Sequence, residues 1–328
     1  MKGRRASNLQ SSQQSIFYYS DVVGQNDAVL RRRPDYLRCL YPSMLIEDVA
    51  YHILPSSGHN TAFRVTLEPA EAKAEKLIAA ALNRDDYHID LASATRNFLV
   101  QCAQTVMAYG EATYELVYLS NRDDGTVVEF QLAYIQSLTV MRRRDQMVQY
   151  IPAEVARARK GSQYIPLEPD RIIMFPLPAS VQRDYGPMME GLAFLSNHKI
   201  PDFVFQVGDD GSRQTPFDST AHIHLEKQAL AEAGKPIGWD ARGLFREETL
   251  EFYDLYRALA FERFKIELRT TLLEKVNEVL TFAGQKVGFS GQLQISGLPT
   301  LKEVEVAQAH LSAGDRPFQE ILKPFRMY

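Results

Sequence analysis

From Leu250 to Leu280 apolar residues recur at three- and four-residue spacing, and this run constrains the fold more than any other part of the chain. Leu255, Leu259, Phe264, Ile266, Leu272, Leu273, Val276 and Leu280 carry the period, with Arg257, Glu262, Arg263, Lys265, Glu267 and Arg269 set between them. That pattern is the signature of an amphipathic helix. Glu247 and Glu248 stand where the positive end of a helix dipole favours acids, so the spacing predicts one helix over residues 247–283. At 1.5 Å per residue it would be on the order of 50 Å long, more than a lone globular domain usually needs. Gly284 is expected to break it. Val287-Gly288-Phe289 and Gln292–Ser296 then read as strands. Lys302–Ala307 opens a last helix, leading to Leu311, Gly314, Glu320 and Ile321.

Composition sets the outer limits. The chain has 328 residues, 45% of them hydrophobic, enough for a sizeable core in one large or two ordinary domains. A formal net charge of −4 argues against a surface uniformly basic for coating nucleic acid. Cys39 and Cys102 lie far apart in apolar surroundings and read as reduced core residues. No run approaches eighteen apolar residues, and the polar start (Lys2, Arg4, Arg5, then Ser and Gln) lacks the apolar segment of a signal peptide. The expected compartment is the cytoplasm, with no membrane partner.

Residues 1–15 are polar and low in complexity, which predicts a mobile tail. Glu68-Pro69-Ala70-Glu71, ahead of Lys73 and Lys76, reads as a helix start running to Leu82. Residues 198–240, rich in Gly, Pro, Asp and Ser, read as loop with short strands. Between lies a five-part unit. A helical pattern (Leu91, Phe98, Leu99, Cys102, Val106) leads into Tyr109-Gly110-Glu111-Ala112-Thr113-Tyr114. A hairpin follows around Asn121–Gly125, then an extended run Phe130–Ile135 and a strand Leu138-Thr139-Val140. Leu167-Glu168-Pro169-Asp170-Arg171-Ile172-Ile173-Met174-Phe175 and, ten residues on, Tyr185-Gly186-Pro187 close the unit.

In order and spacing this unit resembles the central domain of the portal proteins of tailed bacteriophages. That domain runs from a helix through a Tyr-Gly turn, a strand pair and a Pro-x-Asp/Glu-Ile-Ile strand to a Tyr-Gly-x-Ser/Pro segment. The long helix followed by Leu311–Ile321 is similar to the end of portals too. The segment after Tyr185-Gly186-Pro187, from His198 to Trp239, departs from the family pattern. The resemblance implies an α+β fold with a wing-like domain over 16–195, an irregular, clip-like segment over 196–246, a stem-like helix over 247–283 and a C-terminal β/α segment over 284–328.

Residues that could carry chemistry are few. His222 and His224 would share one face of a strand, as in some metal sites; the alternative is surface histidines. Asp123-Asp124-Gly125 and Asp209-Asp210-Gly211 are carboxylate pairs, but Asp-Gly is also a common turn. No Gly-x-x-x-x-Gly-Lys-Ser/Thr, Gly-x-Ser-x-Gly or His-Glu-x-x-His occurs, which excludes a P-loop motor. Arg31-Arg32-Arg33, Arg142, Arg143 and Arg144, with Arg157, Arg159 and Lys160 in the next segment, could contact DNA phosphates. They could equally be solvated turns or pair with acids of a neighbouring subunit.

The expected protein is structural and not an enzyme, needing no cofactor and no metal. Subunits would form a ring, twelve by the resemblance, around a channel for double-stranded DNA at a capsid vertex of the virion, assembled in the host cytoplasm. A terminase ATPase would dock on it, and capsid, head-completion and tail proteins would be its neighbours. Leu259, Phe264 and Leu273 would pack against adjacent subunits. Two alternatives stay open: a portal fold repurposed in a mobile element or cell, which the shortness of the chain favours, and a metal-dependent enzyme using His222 and His224.

Overall fold

The computed structural model describes residues 9–11, 35–54, 63–83, 89–143, 146–158, 160–197, 219–244 and 250–325. In chain order these form β1 (Leu9–Ser11), α1 (Leu40–His52), β2 (Arg64–Glu68), α2 (Ala72–Leu82), α3 (Leu91–Tyr109), β3 (Glu111–Asn121), β4 (Val127–Ile135), β5 (Val140–Arg143) and β6 (Gln146–Tyr150). Then follow α4 (Ala153–Ala158), β7 (Tyr164–Pro166), β8 (Ile172–Pro176), α5 (Gln182–Asn197), α6 (Ser219–Gly234), α7 (Glu251–Val287), β9 (Gln292–Ser296), α8 (Leu301–Ala313) and α9 (Phe318–Leu322). The fold is α+β. It divides into two compact units: unit 1 holds residues 1–34, 50–177 and 268–298, and unit 2 holds 35–49, 178–267 and 299–328. The units interleave along the chain, whereas divisions at 195, 246 and 283 would follow one another. The long helix contributes to both.

Unit 1 is built around β3. Asp90 caps the start of α3 by accepting from Ser93 N–H, and Gly110 ends it in the left-handed conformation that a side chain resists. The chain therefore turns directly into β3. β3 pairs antiparallel with β4 across a turn closed by Asp124, whose carboxylate accepts from Thr126 N–H at 2.9 Å. Its other edge pairs with β8 over Glu111–Glu115. Phe98 of α3 packs on Tyr114 and Phe175 at ring distances of 5.2 and 5.7 Å. β3 is buried from Ala112 to Val117, on both of its faces. A second cluster of Ile135, Leu167 and Ile172 takes in Val140 and Met147. β5, β6 and β7 make a separate small sheet, and β2 pairs with β9.

Unit 2 is helical. Leu255, Leu259 and Ile266 of α7 pack on Val304, Ala307, Leu311, Ile321 and Phe325. α8 starts on a capping box: Thr300 Oγ1 accepts from Glu303 N–H, while the Glu303 carboxylate accepts from Thr300 N–H. Trp239 is buried, and its indole N–H donates to Asp48 at 2.9 Å. Gly238 has φ +74, and a Cβ there would lie 2.3 Å from the Arg257 carbonyl oxygen, so only glycine fits.

Several expectations are corrected. Within the stretch read as a tail, Leu9–Ser11 forms a strand on Leu119–Asn121, because β8 leaves that end of β3 with open backbone groups. The rest of residues 1–15 lies outside the described residues. Pro69 follows β2 and precedes α2; the residue before a proline favours extended backbone, so Glu68 stays in the strand. Ser137–Thr139 forms a 3-10 turn, closed by Thr139 N–H and Oγ1 on the Gln136 carbonyl, and the strand starts only at Val140. Tyr185-Gly186-Pro187 lies inside α5. In the segment read as irregular, residues 219–234 are helical, consistent with the strong helix formers in Leu225–Ala233; 198–218 lies outside the described residues. Gly284 does not stop α7. It lets the Phe289 carbonyl approach to where a Cβ would be 2.4 Å away, and Gly288, at φ +85, ends the helix instead of joining a strand.

Candidate functional site

Four of the cations singled out in the sequence fall on one small structure. Arg142 and Arg143 are exposed on β5, an edge strand of the β5–β6–β7 sheet. As successive strand residues they point to opposite faces. The Arg143 guanidinium lies 4.5 Å from the centre of the Tyr164 ring, and Tyr164 meets Tyr150 edge-on at 5.8 Å. A cation over a ring face is attracted by the ring quadrupole, so Arg143 is held rather than free-swinging. Arg157, on α4, and Lys160 are exposed in the connection between β6 and β7. Lys160 sits at φ +52, its N–H donating to the Arg157 carbonyl at 3.1 Å. Arg144, Arg159 and Arg31–Arg33 lie outside the described residues. Charged residues on an edge strand also keep other strands from pairing there, so β5 has a structural reason for its arginines as well.

The histidine pair is corrected. His222 and His224 lie on helix α6, where residues two apart are about 200° around the axis, so they do not share a face. His224 Nε2 lies 2.8 Å from Gln228 Nε2, within the same helix. Among the described residues no three His, Cys, Asp or Glu side chains are grouped to hold a metal. Asp124 is engaged in the hairpin turn, and its bond from Thr126 N–H holds its carboxyl below the usual range. Asp209 and Asp210 lie outside the described residues. Both cysteines are buried and neither forms a disulfide among the described residues, and burial pushes the Cys102 thiol well up, which makes it a poor nucleophile.

The helix candidates divide. Leu259 is fully buried, within its own chain, against α8 and α9, so its packing needs no neighbouring subunit. Phe264 is buried as well, and Leu273 is half-buried. Arg257 and Lys265, set between the apolar positions as an exposed face would be, are not exposed. Arg257 donates to the Ala231 and Trp239 carbonyls at 2.8 and 2.6 Å, and Lys265 pairs with Glu262 at 2.5 Å. What the periodicity did not separate is the outer face at the start of α7. Leu250, Phe252, Tyr253 and Tyr256 are exposed there, the two tyrosines by 55% and 50%. The same two turns carry Glu251 and Asp254.

No helix among the described residues is long and apolar enough to cross a membrane. Compared with known proteins, the chain matches no family model and no curated protein.

Proposed function

We propose that this chain is a portal-type subunit: copies close into a ring around a channel through which double-stranded DNA passes at a capsid vertex, with a terminase docking on the ring. One observation carries the reading. From Leu91 to Asn197 the chain runs helix α3, left-handed glycine turn, antiparallel hairpin β3–β4, short strand β5, then β6, α4 and β7, the Ile-Ile-Met-Phe strand β8 and helix α5, an order similar to that of the elements on which the portal resemblance rests. The 37-residue helix α7 adds to it, since a ring around a tunnel has use for a long strut. In this reading the work of the chain is positioning, and nucleotide hydrolysis belongs to the partner.

Light scattering coupled to gel filtration tests this. The expected mass is many times the 37.3 kDa of one chain. A single-chain mass at every concentration and salt would contradict it.

A further inference from the structure

β3 is covered on both faces, and the two covers differ in chemistry. One face turns Tyr114 toward α3, where it packs on Phe98 and Phe175. The opposite face carries Thr113 and Glu115, both fully buried. Residues directly opposite on neighbouring strands share a face, so Ile135 stands there beside Thr113 and Ile172 beside Glu115. Those two isoleucines pack with Leu167, Val140 and Met147, which makes the β5–β6–β7 sheet the cover on this side. Gln149 of β6 is fully buried, its Nε2 donating to Thr139 Oγ1 at 3.4 Å, and Ser137 Oγ accepts from Thr113 N–H at 3.1 Å. The seam therefore mixes a few aliphatic side chains with Thr113, Glu115, Ser137, Thr139 and Gln149. Apolar area gains free energy by leaving water, whereas a buried amide or hydroxyl mostly exchanges one set of hydrogen bonds for another. Parting this seam costs less than parting α3 from β3.

The backbone gives the same division. Among the described residues β5, β6 and β7 pair only with one another, and Leu167 N–H extends that pairing by donating to the Met147 carbonyl at 2.9 Å. The sheet is entered and left through two 3-10 turns, Ser137–Thr139 and Pro169–Arg171. We infer that residues 140–167 are a hinged lobe, which swings off β3 as one piece about these two turns while the rest of unit 1 stays folded. Arg142, Arg143, Arg157 and Lys160 ride on it, so opening moves these exposed cations together relative to β3. The device belongs to a single chain and holds whether or not copies form a ring.

The test is thiol labelling of the full chain under native conditions, in a Cys39→Ser background. Thr113→Cys puts a thiol of similar size under the lobe, and Cys102, fully buried on α3, serves as the reference. Each rate is divided by that of the same thiol in the urea-unfolded chain. The Thr113→Cys thiol should label faster than Cys102 by at least about tenfold, because it is reached by a partial opening. Ile78→Ala, a cavity in the body of unit 1, should speed Cys102 by at least about tenfold and leave the Thr113→Cys thiol unchanged, since α2 stays packed when the lobe opens. Equal rates for the two thiols, or acceleration of both alike by Ile78→Ala, would overturn the inference, because both thiols would then be reached only by unfolding of the whole unit. Should Thr113→Cys fail to fold, Thr139→Cys, which Gln149 covers, is read in the same way.

Discussion

Replacing Leu259 by alanine separates packing inside the chain from packing between chains. Leu259 is fully buried, in a cluster with Leu255, Ile266, Val304, Ala307 and Leu311. Truncation removes three carbons from contact and leaves a cavity that α7 and α8 can only partly close. Substitutions of this kind cost about 2–5 kcal/mol. Set against a domain stability of about 5–15 kcal/mol, that is a large share. At roughly 2–4 °C per kcal/mol, the melting temperature should fall on the order of 5–15 °C. The assay is thermal unfolding followed by circular dichroism over a wide range of protein concentration. Because the partners of Leu259 belong to its own chain, the shift should be the same at every concentration. An unchanged melting temperature, or a loss that vanishes as the chain is diluted to monomer, would refute this and return Leu259 to a subunit interface.

Other perturbations follow from the same geometry. Gly238→Ala should destabilise unit 2 by several kcal/mol, whereas Gly314→Ala, at φ +64 with nothing within 4 Å of the added carbon, should cost only about 1 kcal/mol; urea melts compare them. Asp48→Ala takes the acceptor from the Trp239 indole and one partner from Arg242, for a loss of about 1–3 kcal/mol in the same assay. Asp90→Ala should cost about 1 kcal/mol at neutral pH as a lost helix cap. The Asp90 carboxyl is held below its ordinary range chiefly by the Ser93 backbone N–H, so its stabilisation is present above the unfolded pKa and lost as pH falls through the folded one. The gap between Asp90→Ala and the unmodified chain should therefore narrow in acid, and a constant gap would contradict that origin.

Where local chemistry decides the structure, it was legible in the sequence. The apolar period of α3, its Gly110 stop, the Asp123-Asp124-Gly125 turn and the start of α8 are each fixed by residues within a few positions of one another. What escaped depends on distant chain. A polar residue inside an apolar stripe reads as exposed, yet Arg257 finds carbonyl acceptors at Ala231 and Trp239, and no periodicity announces them. Gly284 reads as a helix breaker, although its use is to admit the Phe289 carbonyl. The His222 and His224 pair failed through a wrong period: with a strand assumed, residues two apart share a face, and on α6 they do not. For the candidate surface, the clustering of Arg142, Arg143, Arg157 and Lys160 was visible as charge. The exposure of Phe252, Tyr253 and Tyr256 was not, because buried and exposed aromatics follow one another along the same stretch of α7.

The ring is the central claim, and negative-stain electron microscopy of the purified full chain tests it most directly. The account predicts closed annular particles with a stain-filled central hole and rotational symmetry in the class averages. Fields of single small particles at every concentration and salt would contradict it.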